Sequence, residues 1–270
     1  MGQIITLLSD FGLSDSYVSV MKAVIAQINP AVVVIDITHQ VPPQNIGSGR
    51  FSLMTAVPYF PPKTVHVAVV DPGVGGKRRA VGIGIGTPFG EPVGFLVGPD
   101  NGIFSGVLDQ FPAYAVVELT NAQFWRTDEP SGTFHGRDIF APVGAHLASG
   151  VPLAELGAAI TPDSLVQFSL PPYFQTENTI HGCIQAIDHF GNLITNIPAI
   201  VLSHPWSVTI GITSILSALT YSDRRVGEFI SFIGSHGWLE IAVNNGSAQT
   251  RLNSKIGDPV EVKLDRIGMS

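Results

Sequence analysis

A chain of 270 residues has room for one large domain or two modest ones, and with 45% hydrophobic and only 13% charged residues it is apolar for a globular protein. A formal net charge of −7, with no basic run longer than Lys77-Arg78-Arg79, leaves no footprint for nucleic-acid phosphates, and every apolar run breaks well short of the ~18 residues that a membrane helix needs. A surface so poor in charge points to an oligomer.

From the N-terminus, Met1-Gly2-Gln3 leads straight into an apolar run with no basic stretch before it, so no signal peptide is expected. Residues 4–8, 32–37, 65–70 and 93–97 are short, β-branched-rich runs bounded by polar, Gly or Pro residues, and they read as buried strands. Between the first two, Val18, Met21, Val24 or Ile25, and Ile28 recur at helical spacing, after Ser14 or Asp15 as N-cap and before Pro30. Strand, helix and strand in that order make a βαβ unit, which implies a parallel sheet. Three strands run into acid-bearing turns: Ser9-Asp10-Phe11-Gly12, Asp71-Pro72-Gly73, and Gly98-Pro99-Asp100-Asn101-Gly102. Ligands of open α/β sheets bind beyond the carboxyl ends of the strands, so Asp10, Asp71 and Asp100 are expected around one crevice. Gly82-Ile83-Gly84-Ile85-Gly86 lies inside a strand-like run, which marks tight packing rather than a dinucleotide loop, and NAD and ATP enzymes are disfavoured.

Further along, Gly132-Thr133-Phe134-His135-Gly136-Arg137-Asp138-Ile139-Phe140-Ala141-Pro142 sets a histidine, an arginine and an aspartate within four positions between apolar flanks, where unpaired charge is costly to bury. From the residues alone this reads equally as an Arg137–Asp138 structural pair beside a satisfied His135 and as a site. Asp71-Pro72-Gly73-Val74-Gly75-Gly76-Lys77-Arg78 is ambiguous in the same way. The eight histidines show no ligand spacing, so no metal is implied. Residues 171–178 read as a linker, and beyond it the runs 182–187, 207–212, 228–233, 238–243 and 260–264 read as strands, with a weak helical pattern near 215–219. The second domain is therefore expected to be all-β. The lone Cys183 excludes an internal disulfide and fits core packing in a reducing cytoplasm.

Five motifs taken together carry more than any one. Leu8-Ser9-Asp10-Phe11-Gly12, Asp71-Pro72-Gly73-Val74-Gly75 followed by Arg78, Gly98-Pro99-Asp100-Asn101-Gly102, Phe134-His135-Gly136-Arg137-Asp138, and Ile187-Asp188-His189-Phe190-Gly191-Asn192 occur in an order that resembles the S-adenosylmethionine hydroxide adenosyltransferase family, relatives of the S-adenosylmethionine-dependent fluorinase and chlorinase. The resemblance runs from about residue 4 to residue 264. It implies an α/β N-terminal domain with a mainly parallel sheet over 1–172, and a smaller all-β, barrel-like C-terminal domain over 179–270. It also implies a homotrimer whose sites pair one subunit's first domain with a neighbour's second. The activity implied is hydrolysis of S-adenosylmethionine to adenosine and L-methionine without a cofactor. By motif position Asp71, Arg78 and His135 would activate water, Asp10 would hold the ribose hydroxyls, Asp188 would face the methionine ammonium and Asn192 the adenine. Tyr221, Ser235, Glu240, Val243 and Asn244 fall in segments that would close over the substrate. One departure is that Ile194 stands where the halogenating relatives carry a tryptophan.

The chemistry agrees with these residue types. A sulfonium leaves as a neutral thioether and needs no acid, whereas water, with a pKa of about 15.7, is a poor nucleophile, so the catalytic task lies at the water. Three alternatives stand beside hydrolysis: a halogenase on the same scaffold, a metal-dependent hydrolase using Asp10, Asp71, Asp100 and His135, and a non-catalytic adenosine or S-adenosylmethionine sensor. A carboxylate at position 71 would repel a halide ion, which favours water.

Overall fold

The structure, a computed structural model, describes residues 3–87, 92–203 and 205–264. Met1 and Gly2, on which the expectation about a leader rests, lie outside the described residues, as do His204 and residues 265–270. The chain divides into two compact units, Met1–Phe168 and Ser169–Ser270.

In the first unit, strands β1 (Ile4–Ser9), β2 (Val33–Thr38), β3 (Thr64–Val69), β4 (Ala80–Ile85), β5 (Gly94–Pro99), β6 (Ala113–Glu118) and β7 (Ala158–Ile160) form one sheet in the order β2-β1-β3-β5-β4-β6-β7. Helices α1 (Tyr17–Ile28), α2 (Ile46–Ala56), α3 (Ser105–Leu108) and α4 (Ala141–Ala148) connect them. The four strands read from sequence are the parallel ones, β2, β1, β3 and β5, whereas β4, β6 and β7 join antiparallel, so the sheet is mixed. β1, β3 and β4 are buried almost throughout. β2 is not, contrary to the sequence reading, because it is the sheet's edge strand, with Val33 and Ile35 exposed.

Helix α1 turns Val18, Met21, Val24 and Ile25 inward, and the last three join Val65, Val67, Val143 and Leu147 in one core. Its N-cap position is Ser16 rather than Ser14 or Asp15, and no side chain caps it. Close packing accounts for the glycines of β4, since a Cβ on Gly84 would fall 2.5 Å from the Tyr114 ring. His66 on β3 lies beside Thr6 on β1 at the sheet's centre, its Nδ1 2.8 Å from the Thr6 hydroxyl, and burial pushes its imidazole down to about 4.

In the second unit, β8 (Phe174–Thr176), β9 (Thr179–Ile187), β10 (Leu193–Pro198), β11 (Trp206–Ile210), β12 (Thr213–Leu216), β13 (Phe229–Ile233), β14 (Trp238–Val243) and β15 (Pro259–Leu264) make an antiparallel sheet, with helix α5 (Ala248–Leu252) beside β14. The order is β12-β11-β15-β9-β10-β14-β13, with β8 paired to β9. The two ends of the sheet meet at a bridge between Ser217 and Ser231, so the sheet is nearly closed and barrel-like around Ile180, Ile184, Trp206, Leu239, Ile241 and Val262. Two local expectations are corrected. The weak helical pattern near 215–219 overlaps strand β12, because pairing with β11 overrides a propensity that short, and the supposed linker 171–178 contains β8. α5, of five residues, gave no legible period.

Candidate functional site

The parallel strands of the first unit place their carboxyl ends along one edge of the sheet, and there a crevice of about 420 Å³ opens. Asp10, one residue beyond β1, and Asp71, two beyond β3, both line it, as does His135 from the segment ahead of α4. Asp100 does not line it. Its carboxylate is buried, ion-paired to Arg79 at 2.5 Å, while its other oxygen accepts the Val166 N–H, so the expectation of three acids in one crevice fails for this one. The basic partner just ahead of β4 captures the acid that follows its neighbour β5.

Asp71, Arg78 and His135, far apart in sequence, meet in space. The Arg78 Nε donates to both Asp71 oxygens at 3.0 Å, its Nη2 donates to Oδ2 at 2.5 Å, and the same Nη2 donates to His135 Nδ1 at 2.7 Å. The guanidinium also lies over the buried Phe140 ring, 5.3 Å from its centre. What lets residues 71–78 reach residue 135 is a glycine. Gly75 has φ +72°, and a Cβ there would fall 2.2 Å from the Gly132 carbonyl oxygen, so this loop and the segment before His135 touch backbone to backbone. Arginine has only donors, so His135 Nδ1 is the acceptor and the ring proton sits on Nε2. Burial, then the Arg78 charge, hold the His135 imidazole below its ordinary value against the opposite pull of Asp71 and Asp138.

Arg137 and Asp138 form the structural pair. Asp138 is fully buried and accepts from Arg126 Nε, Arg137 Nε and Nη2, and the Ser131 N–H. Burial acts to raise its carboxyl, but Arg137, the Ser131 N–H and Arg126 outweigh that and hold it well below the usual carboxylate range. This knot fixes the start of a π-helical turn, Gly136–Phe140, with His135 at its N-cap position, and such turns recur at functional sites.

Several lining residues escaped the sequence reading. Phe11, Tyr17 and Phe134 pack on one another with ring centres 5.2–5.7 Å apart and form one wall. Tyr17 opens α1 one turn before Met21, on the side of the helix that carries the buried stripe, a detectable signal. Gln44 had none: it reaches the crevice with φ +64°, its N–H donating to Asp10 Oδ2 at 2.7 Å.

In the second unit a cleft of about 440 Å³ is lined by Asn192, Tyr221 and Val243, together with Phe190, Asn245 and Gly246. Asp188 lies behind Asn192 and holds the turn between β9 and β10. Its Oδ1 accepts the N–H groups of Phe190 and Asn192, and its Oδ2 accepts from Asn192 Nδ2 at 2.8 Å. Asn192 Nδ2 also donates to the Tyr221 hydroxyl, which donates to Glu240 Oε1, and Glu240 Oε2 lies 3.1 Å from His236 Nε2. Burial and the Glu240 charge push the Tyr221 phenol up to about 12. The Asn244 amide clasps the carbonyls of Tyr221 and Arg224 and so pins that segment, whereas Ser235 sits exposed in the turn between β13 and β14. Ile194 is buried on β10, paired with Glu240.

Comparison with known proteins gives this arrangement a context. Residues 5–157 match the SAM hydroxide adenosyltransferase N-terminal domain and residues 182–261 match the SAM hydroxide adenosyltransferase C-terminal domain. A protein of Salinispora tropica named (R)-S-adenosyl-L-methionine hydrolase is 40% identical over 96% of this chain and 97% of its own length. A fluorinase of Actinoplanes sp. is 30% identical over 96% of this chain and 97% of its own length. A solved structure of a conserved protein from Thermotoga maritima superposes with a TM-score of 0.88 at 36% identity, covering 96% of this chain and 99% of that one. Both halves of the sequence match along nearly their whole length, and the chain belongs to the SAM hydroxide adenosyltransferase family.

Proposed function

We propose that this chain hydrolyses S-adenosylmethionine at C5′, giving adenosine and L-methionine. The observation that carries the proposal is the union of Asp71, Arg78 and His135 at the crevice. The water oxygen attacks C5′ as the C5′–S bond breaks, the electron pair leaves with sulfur as a neutral thioether, and the water's proton passes to Asp71 and on to solvent. Arg78 stabilises the developing hydroxide character, and His135, carrying its proton on Nε2, directs a donor at the water rather than taking the proton itself. In-line placement of water and C5′ supplies the remaining advantage. A halide would meet the Asp71 carboxylate, so the reading as a halogenase has less support. The metal-dependent reading loses Asp100 to Arg79.

Asp10, with one oxygen engaged by Gln44, offers the other to a ribose hydroxyl. Asn192, its Nδ2 engaged by Asp188 and Tyr221, offers its amide oxygen to the adenine amino group, and Tyr221, Val243 and Asn244 shape that cleft. Asp188, Glu240 and Ser235 serve the methionine end. The name of the Salinispora relative supports the R sulfonium epimer as substrate. We further propose a cytoplasmic homotrimer in which the first unit of one subunit is completed by the second unit of a neighbour. Exposed Leu13, Ile200, Ile212, Leu219 and Val226 support burial of both units in an assembly.

Reaction of each sulfonium epimer in ¹⁸O-water tests the reading. The heavy oxygen is expected in the 5′-hydroxyl of adenosine, with methionine unlabelled. Methylthioadenosine with labelled homoserine would mean attack at the methionine chain and would overturn it.

A further inference from the structure

We infer that His39 is a positioning residue for Asp10, acting through Ser9 and the segment 39–44. The inference rests on the proposed role of Asp10 in holding the ribose. Ser9, at the end of β1, is fully buried, and its Oγ lies 2.7 Å from His39 Nδ1. The other ring nitrogen of His39, itself 3% exposed, lies 3.1 Å from Asp36 Oδ1 on β2, and Asp36 Oδ2 takes a 2.6 Å bond from Lys22 on α1. The approach of Nε2 to Asp36 is not aligned as a hydrogen bond, but a bare ring nitrogen would be repelled by the carboxylate, so the His39 proton belongs on Nε2 and Nδ1 accepts the Ser9 hydroxyl. The Ser9 oxygen then accepts the Phe11 N–H at 3.3 Å. Serine, histidine and aspartate stand in the sequence of a hydrolytic triad, but Ser9 is enclosed and faces backbone, so it cannot meet a substrate. Its bonds hold the turn that carries Asp10.

The same segment grips that turn twice more. The His39 carbonyl accepts the Gly12 N–H at 2.8 Å, and Gln44 donates its N–H to Asp10 Oδ2 at 2.7 Å. Gln44 adopts φ +64°, a conformation that a non-glycine residue keeps only when its surroundings impose it. Ser9, Asp10 and Gly12 are therefore each tied to residues 39–44. Asp10 is left one carboxylate oxygen for a ligand, its direction set by a buried imidazole that lines no part of the crevice.

Three substitutions test this. His39→Asn keeps a polar atom near the Nδ1 position and so the bond to Ser9, whereas His39→Ala loses it and strands a buried hydroxyl. His39→Ala is expected to raise KM for S-adenosylmethionine about tenfold, as removal of a partner from a buried polar group does, with His39→Asn close to wild type. In an Asp10→Ala background, His39→Ala should then change KM less than twofold, because a residue acting through Asp10 has nothing left to place. Thermal unfolding of each variant separates loss of fold from loss of placement. Equal KM effects of His39→Ala with and without Asp10, or an unchanged KM in a folded His39→Ala protein, would overturn the inference. Absence of turnover and of adenosine binding in the wild-type protein would instead overturn the proposed function.

Discussion

Arg78 shows how a residue's neighbours decide its chemistry. In the sequence it ends a glycine-rich turn and could have been solvated, yet folded it binds two partners, with 11% of its side chain exposed and 5% of that of Asp71. The three bonds to Asp71 and the fourth to His135 need a planar fork, which lysine lacks. Arg78→Lys is expected to lower kcat by about 10²–10⁴ while substrate still binds, the usual scale for a positioned acid–base group, and single-turnover rates with an adenosine-binding assay check it. The pH dependence has a definite sign. His135 must be neutral at Nδ1 to accept from Arg78, and its folded value lies below the ordinary 6.5, so its neutral form persists below that pH and is lost as pH falls through the depressed value. From its sequence position alone, a histidine base would be expected to lose activity near 6.5. The structure moves that acid limb lower, and His135→Asn should abolish this component of the kcat profile. A limb that stays at 6.5, or survives in His135→Asn, would assign it to another group.

Elements brought these residues within reach. β1, β3 and β5 were legible because a strand buried on both faces reads as a continuous apolar run, and β2, an exposed edge strand, because it is β-branched all the same. β4, β6 and β7 were not placed, because their pairing is a long-range choice that leaves no local period. The loop contact at Gly75 belongs to the same scale: a positive φ and a carbonyl 2.2 Å from the missing Cβ forbid any side chain. Gly75→Ala should cost about 1–3 kcal/mol of stability in urea unfolding, the range for imposed backbone strain, and should reduce kcat as Arg78 draws away from His135. A variant with wild-type kcat would show that this contact does not hold the three residues together.

At the scale of the whole molecule, the proposed assembly predicts complementation. Asp10→Ala and Asn192→Ala proteins, each impaired alone, should recover part of the activity when mixed and allowed to exchange subunits, because some interfaces then pair an intact first unit with an intact second one. A fully active monomer in sedimentation would rule this out. By itself the sequence determined the strand–helix–strand start, the predominantly β second half and the motif order that marks the family, since each depends on short-range periodicity or on residues fixed in a line. Only the tertiary structure decided that Asp100 belongs to Arg79 and that His39 stands behind Asp10. A charged or polar side chain takes whichever partner the fold brings within about 3 Å, and partners 20 to 60 residues away leave no local trace of that choice.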